Sequence, residues 1–161
     1  MLKLFAAVLA IASLVGCAET RSVIGEDVKK TNLIACPAKG QSIGDVPSCG
    51  KAWKIGSGTA ELTPEGNLNV DVKGLVLDDA STGDANGTPD GVDGVAAAVV
   101  CHGMSGFKVG PQSDVVPLSK SGDATISTKV SIPADCTKPV IVVRERYEGK
   151  VKGWLATTSM P

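Results

Sequence analysis

The chain has 161 residues, with 16 Lys or Arg against 17 Asp or Glu, so its formal net charge is −1. This balance gives no electrostatic basis for binding nucleic acid or an anionic surface. Only 3% of the residues are aromatic, so a hydrophobic core must be built from Val, Ile, Leu and Ala. The length is typical of one domain that is large enough to bury a sizeable hydrophobic core.

The first sixteen residues have the organisation of a secretory signal. Lys3 supplies a basic start, an apolar run extends from Leu4 to Leu14, and small residues follow. The run is too short for a permanent membrane helix, which needs about 20 apolar residues. Residues 1–16 are therefore predicted to form a signal peptide helix that is removed on export.

Leu14-Val15-Gly16-Cys17 resembles a bacterial lipobox, where a diacylglycerol is attached to the cysteine before cleavage. The resemblance implies that Cys17 is the lipidated first residue of a cell-envelope protein and that the membrane is its partner. Residues 17–32, mostly polar, are then a flexible tether. Ala18 implies sorting to the outer membrane in a Gram-negative cell. The alternative is a signal cleaved by the general peptidase, which would leave the protein secreted.

Four more cysteines follow, namely Cys36, Cys49, Cys101 and Cys136. An even number in an exported protein predicts two disulfides, with three possible pairings. We favour Cys36–Cys49 and Cys101–Cys136, because the first closes a small loop containing Gly and Pro and the second would join two strands. Each bridge is worth on the order of 3 kcal/mol in the chain-entropy model. A zinc site is the alternative, but the short paired spacings of such sites are absent.

The rest of the chain has the pattern of short strands separated by turns. Alternating or continuous apolar residues predict strands at 59–63, 67–73, 75–77, 95–101, 114–118, 123–132, 140–147 and 151–157. Gly74 predicts a bulge, and Glu148-Gly149 predicts a hairpin turn. No segment of ten residues after the signal has helical periodicity.

Residues 33–161 are therefore predicted to form one all-β domain, an antiparallel β-sandwich of about seven strands. An immunoglobulin-like topology is the favoured arrangement, and an up-and-down or Greek-key barrel would leave the same pattern. Gly58-Thr59-Ala60, Gly66-Asn67-Leu68, Val72-Lys73-Gly74-Leu75 and Val116-Pro117-Leu118 together are similar to the CHRD β-domain of secreted proteins. The resemblance implies a sandwich and no activity. Val100-Cys101-His102 stands where that pattern has His-x-His.

An acidic loop, residues 78–94, contains five aspartates and neither Lys nor Arg. Asp84, Asn86, Asp90 and Asp93 are candidate ligands for Ca²⁺, which takes six to eight oxygens. Residues 84–93 resemble the calcium repeats of thrombospondin type 3, but Thr88 and Pro89 replace the acidic residue and glycine of those repeats. The favoured interpretation is a solvated loop between strands.

Two further groups of residues could carry chemistry. His102, the single histidine, and Met104 could bind copper, but a blue-copper arrangement needs a thiolate, which a disulfide at Cys101 would remove. A structural strand end is therefore favoured. The run from Arg144 to Glu148 could bind a carboxylate or a sugar. We favour charge pairing across a hairpin, worth about 0.2–1 kcal/mol for each pair.

No catalytic set emerges from the sequence. A Gly-x-Ser-x-Gly elbow is absent, and no Gly-rich loop opens a helix. We therefore expect an exported, lipid-anchored, non-enzymatic binding or structural module with no cofactor, whose partner is a protein or a small molecule. The alternative is a calcium-binding or metal-dependent extracellular enzyme that uses the Asp78–Asp93 loop.

Overall fold

The computed structural model describes residues 28–38, 40–103 and 106–160. The predicted signal, Cys17 and Met104 lie outside these residues. Twelve strands and one 3-10 helix, Ala80–Ala85, occur in the described part of the chain. The strands are β1 Val28–Asn32, β2 Ile34–Ala35, β3 Trp53–Lys54, β4 Ser57–Leu62, β5 Asn67–Lys73, β6 Val76–Leu77, β7 Val92–Gly103, β8 Gly106–Gln112, β9 Val116–Pro117, β10 Ala124–Lys129, β11 Thr137–Tyr147 and β12 Lys150–Thr157.

The strands form two main sheets with antiparallel pairing. The first sheet has the order β1-β4-β5-β10. The second has the order β2-β12-β11-β7-β8, with β9 also paired to β7, and β3 pairs with β6 separately. Residues of both main sheets belong to one hydrophobic core. The all-β antiparallel sandwich predicted from the sequence is therefore confirmed.

The order of the strands identifies how the chain connects the sheets. β5 lies beside β10, and β7 lies beside β11, although other strands intervene in the chain. The chain between β5 and β10 forms β7 and β8 of the second sheet, and the chain between β7 and β11 forms β10 of the first. The two sheets are therefore interleaved along the chain, whereas β4 and β5 are joined directly as a hairpin.

Alternation of apolar and polar residues explains the first sheet. Along β5, Leu68, Val70 and Val72 are buried in the core. The residues between them face outwards and bond to β10, since Thr125 Oγ1 donates to Asp71 Oδ2 over 2.8 Å. The period of two predicted for these strands is thus confirmed in their burial pattern.

The centre of the second sheet is buried on both faces. Residues 95–100 of β7 have no exposed surface. One face packs in the core, and the segment 36–50 lies against the other side of β12. There, Trp154 N donates to Pro47 O over 2.9 Å, and Trp154 Nε1 donates to Gln41 O over 3.0 Å. Burial of successive residues, which project to opposite faces, accounts for the continuous apolar run in β7.

Two disulfides hold these parts together in the pairing favoured from the sequence. Cys36–Cys49 closes the segment that covers β12, with a Cα–Cα distance of 6.2 Å. Cys101–Cys136 joins the neighbouring strands β7 and β11 near one end, with a Cα–Cα distance of 4.9 Å. Bridges over 13 and 35 residues are worth about 3 to 4 kcal/mol each by loop-closure entropy.

Several elements differ from the sequence prediction. Residues 28–32, assigned to the flexible tether, form β1 and pair with β4. β8 was not predicted, because its sequence GFKVGPQ has little apolar alternation. Both strands lie at sheet edges, where main-chain hydrogen bonds to a neighbour are sufficient to order a polar segment. The 3-10 helix in the acidic loop was also not predicted.

The first sheet defines two ends of the sandwich. Val28, the first residue of β1, pairs with Leu62, beside the turn 63–66, and we call this the β1 end. At the opposite end, Leu75 N donates to Gly122 O over 2.8 Å. That end, the loop end, contains the connections 78–91, 119–122 and 148–149.

Replacing Gly66 with alanine should destabilise the fold strongly. Gly66 has φ = 84°, and a Cβ there would overlap the carbonyl oxygen of Val130. Gly87 has a similar φ of 81° with nothing within 4 Å of a Cβ, so Gly87→Ala is a matched control for the backbone cost of about 1–2 kcal/mol. We expect Gly66→Ala to cost about 1–3 kcal/mol more than the control. Urea unfolding with the disulfides intact measures both, and equal losses would contradict the assigned overlap.

Candidate functional site

A cleft of about 260 Å³ lies at the loop end of the sandwich. Its lining combines an apolar floor with charged and aromatic side chains. The floor is formed by Trp53, Leu77 and Val92, all buried. The surrounding residues are Gly50, Lys51, Asp90, Glu145, Tyr147 and Lys152. An apolar pocket with a few polar groups is the usual form of a small-molecule site.

The short ladder between β3 and β6 holds the floor in place. Trp53 pairs with Leu77 in the register of the two strands. Trp53 N also donates to Cys36 O over 2.8 Å, which ties the floor to the disulfide-bonded segment. Lys54 Nζ lies 3.3 Å from Asp78 Oδ1, so an exposed ion pair closes the end of the ladder.

The pairing of β11 with β7 positions the polar wall of the cleft. Glu145 and Tyr147 are two residues apart on β11, and side chains two apart project to the same face of a strand. Arg146 pairs with Gly94 and Tyr147 pairs with Val92, so β7 has a bulge at the residue between. Bulges re-aim side chains and are common beside functional sites. Here the bulge sets the turn containing Asp90 against the end of β11.

Tyr147 is held by its neighbours. The Nζ atom of Lys152 lies over the ring, 4.5 Å from its centroid, which is a cation–π contact. Lys152 Nζ also lies 3.3 Å from Glu148 Oε2. Gly91 approaches the ring so closely that a Cβ there would overlap Tyr147 Cε2. Position 91 therefore requires glycine for the cleft to keep its shape.

The cleft contains two carboxylates, Glu145 and Asp90, whose surroundings differ. Glu145 is half-buried, and loss of water raises its pKa above the ordinary value, against smaller opposing effects of the Gly153 backbone and Lys152. The carboxylate of Asp90 is exposed and makes no hydrogen bond or ion pair with any described residue. Both groups are therefore available to a ligand.

Other acidic residues of the loop have partners within the protein. Asp79 Oδ1 accepts a hydrogen bond from Ser81 N over 2.9 Å, and hydrogen bonds from Ser81 lower the pKa of Asp79. Asn86 Oδ1 accepts from Asp79 N over 3.0 Å. Asp93 Oδ1 accepts from Arg146 Nε over 2.8 Å, and this bond lowers the pKa of Asp93. These side chains order the loop and attach it to β11.

The four candidate calcium ligands are placed in different surroundings. Asp84 lies in the 3-10 helix, Asn86 bonds within the loop, Asp90 lines the cleft, and Asp93 bonds to Arg146. Within 28–38, 40–103 and 106–160, no group of three or more His, Cys, Asp or Glu is arranged to hold a metal ion. The structure does not bring the four together.

The remaining sequence candidates also have defined positions. Cys101 is bonded to Cys136, so the thiolate that a blue-copper site at His102 would need is not available. His102 is exposed near the end of β7, and its carbonyl accepts from Thr137 Oγ1 over 2.6 Å. Glu148 pairs with Lys152 across the hairpin, and Arg146 pairs with Asp93 of the neighbouring strand β7, as the charge-pairing interpretation expects.

The run from Arg144 to Glu148 has a second role that the favoured interpretation did not include, because Glu145 and Tyr147 line the cleft. Sequence reasoning also missed Lys51, Trp53 and Lys152 as lining residues. The predicted hairpin at Glu148-Gly149 would have indicated Lys152, since it places β12 beside β11. No local signal indicates Lys51 or Trp53, which reach the cleft through β3.

Comparison with known proteins gives no relative: no family model, curated protein or solved structure matches this chain. Among the residues that the structure describes, none of the helical segments has the length and apolar character needed to cross a membrane.

We expect the melting temperature to be unchanged by Ca²⁺ or by EDTA, because the candidate ligands do not converge and two of them, Asn86 and Asp93, bond to the protein itself. A Ca²⁺ ion at hundredfold excess over its Kd would stabilise the fold by about 2.7 kcal/mol. Calorimetric melting with Ca²⁺, with Mg²⁺ as a control, and with EDTA measures this. A rise with Ca²⁺ alone would establish a calcium site.

Glu145→Gln should stabilise the fold at neutral pH, and this gain should vanish in acid. The folded-state pKa of Glu145 is raised by burial, so ionising it costs native stability as pH rises from its ordinary value through the raised one. Below the ordinary value both states are protonated and the cost is absent. Urea unfolding across this pH range tests the sign. Glu61→Gln, on the outer side of the first sheet, is the control, and an equal effect in it would contradict the assignment.

Proposed function

We propose that this chain is an exported cell-envelope protein, anchored by lipid on Cys17, whose β-sandwich is a non-enzymatic binding module. The distribution of the five cysteines carries the proposal. Four are paired in two disulfides, as is typical of proteins that mature in an oxidising compartment. The fifth, Cys17, is the one that follows the lipobox-like residues.

The position of β1 supports a cleft that faces away from the membrane. Ten residues, 18–27, separate Cys17 from Val28, so the two Cα atoms can lie at most ~40 Å apart in a fully extended chain. A lipid on Cys17 would thus hold the β1 end near the bilayer. The cleft lies at the loop end, on the far side of the sandwich, where a ligand or partner in the surrounding space can reach it.

Binding has more support than catalysis. The lining of the cleft contains no Ser, Cys or His, so a nucleophile activated by a neighbouring base is missing from this set. The metal-dependent alternative is less supported, because Asp79 and Asp93 of the loop accept hydrogen bonds from the protein. The apolar floor and the available carboxylates fit recognition of a small ligand or of a side chain.

Cys17→Ser should move the protein from the membrane fraction to the soluble fraction, because a serine cannot take the thioether-linked lipid. Mass spectrometry of the native protein should show an acylated N-terminal Cys17 and no residues 1–16. Ala18→Ser, which leaves the lipobox intact, is the control and should remain in the membrane fraction. Recovery of the unsubstituted protein with its initiating methionine and free thiols would overturn the proposal.

A further inference from the structure

The cleft at the loop end presents two carboxylates from different elements. Asp90 comes from the turn before β7, and Glu145 lies near the end of β11, the strand beside β7. Asp90 has no hydrogen-bond or ion-pair partner among the described residues. Glu145 makes no ion pair within 4.0 Å in the same part of the chain. Asp90 therefore has no ion-pair partner in this part of the chain, and the charge of Lys152 acts on Glu145 only from beyond ion-pair distance.

The two lysines of the cleft also act on acidic side chains that lie outside its lining. Lys152 Nζ lies 3.3 Å from Glu148 Oε2, outside the cleft lining. The charge of Lys51 acts on Asp79, whose pKa it helps to lower. Both lysines thus act on acids around the cleft, and in the described part of the chain neither forms an ion pair with Asp90 or Glu145. An incoming ammonium can therefore pair with these two carboxylates.

The ammonium of Lys152 indicates which chemical group the wall containing Tyr147 attracts. Lys152 Nζ lies 4.5 Å from the centroid of the Tyr147 ring, and a ring face beside carboxylates is a favourable position for a cation. The floor below is apolar, since Trp53, Leu77 and Val92 form it. A ligand that fits both features has a positive end and an apolar body.

A sugar fits the cleft less well. Binding of a pyranose ring typically uses an open aromatic face, but Trp53 is only 7% exposed, and the Lys152 ammonium already lies over the ring of Tyr147. A volume of about 260 Å³ is near the lower end of small-molecule sites, which span about 300–1,000 Å³. The ligand is therefore small.

We propose that the cleft binds a small primary amine, with its ammonium between Asp90 and Glu145 and its apolar body against Trp53. This inference rests on the proposed binding function and specifies the class of its ligand. A free molecule and the side chain of a lysine in a partner both present this ammonium on an apolar stem, and the proposal includes either source.

Isothermal titration of the purified mature protein tests the ligand class. Phenethylamine is the probe, 2-phenylethanol is its neutral analogue, and glucose represents sugars. We expect phenethylamine to bind and the other two not to bind. Equal binding of 2-phenylethanol, binding of glucose alone, or no binding of phenethylamine would each overturn the proposal. N-acetyl-lysine amide, with its side-chain amine intact, then tests whether a peptide lysine is also accepted.

Matched variants test the two carboxylates. Asp90→Asn and Glu145→Gln should each weaken phenethylamine binding about tenfold, since a hydrogen bond to a charged group is lost. Asp84→Asn removes the same charge from the same loop outside the cleft, and it should leave the affinity unchanged. Melting curves of every variant verify folding. An equal effect of all three substitutions would mean long-range attraction rather than a site, and would overturn the assignment.

The pH profile gives a second readout of Glu145. Its surroundings contain four titratable groups that line the cleft, Lys51, Asp90, Tyr147 and Lys152. Protonating Glu145 removes a negative charge, so affinity for the amine should fall as the solution is acidified through the raised pKa of this group. In Glu145→Gln that part of the fall should be absent. An unchanged profile in the variant would contradict the assigned role.

The two proposals fail separately. Titration of the mature protein does not depend on acylation, so a missing lipid on Cys17 would overturn the anchoring and leave the amine site standing. Membrane association without phenethylamine binding would overturn the amine site and leave the lipid anchoring standing.

Discussion

The antiparallel pairing of β7 with β11 is the interaction on which the rest of the structure depends. It extends from Thr137 opposite His102 to Tyr147 opposite Val92, through the most deeply buried part of the core. Both sheets and both ends of the sandwich are positioned relative to this pair. At one end it places Cys101 within reach of Cys136, and at the other it sets Glu145 and Tyr147 beside the turn containing Asp90.

The disulfide-bonded segment 36–50 serves the core and the cleft together. It bonds to Trp154 of β12 through the carbonyls of Pro47 and Gln41, and it contributes Ile43 and Val46 to the core. The carbonyl of Cys36 also accepts the hydrogen bond from Trp53 N, which fixes the floor of the cleft. A segment with little regular structure is therefore required both for stability and for the shape of the candidate site.

Much of the fold could be predicted because the relevant signals are local. The alternation in β5 and β10 follows from one buried and one exposed face, and the continuous run in β7 follows from burial on both. Glu148 and Gly149, with φ of 52° and 72°, form the hairpin turn that their sequence indicated. β1 and β8 could not be predicted, because polar edge strands are ordered by the neighbour to which they bond.

The sequence by itself determined the all-β class, the disulfide-forming cysteines and the principal strands, since each depends on the periodicity or chemistry of residues close together in the chain. The tertiary structure alone decided the strand order, the covering of the second sheet and the cleft. Lys51, Asp90, Glu145 and Lys152 come from four separate parts of the chain. Their meeting depends on strand register and on a bulge in β7, and neither leaves a local pattern that a sequence can display.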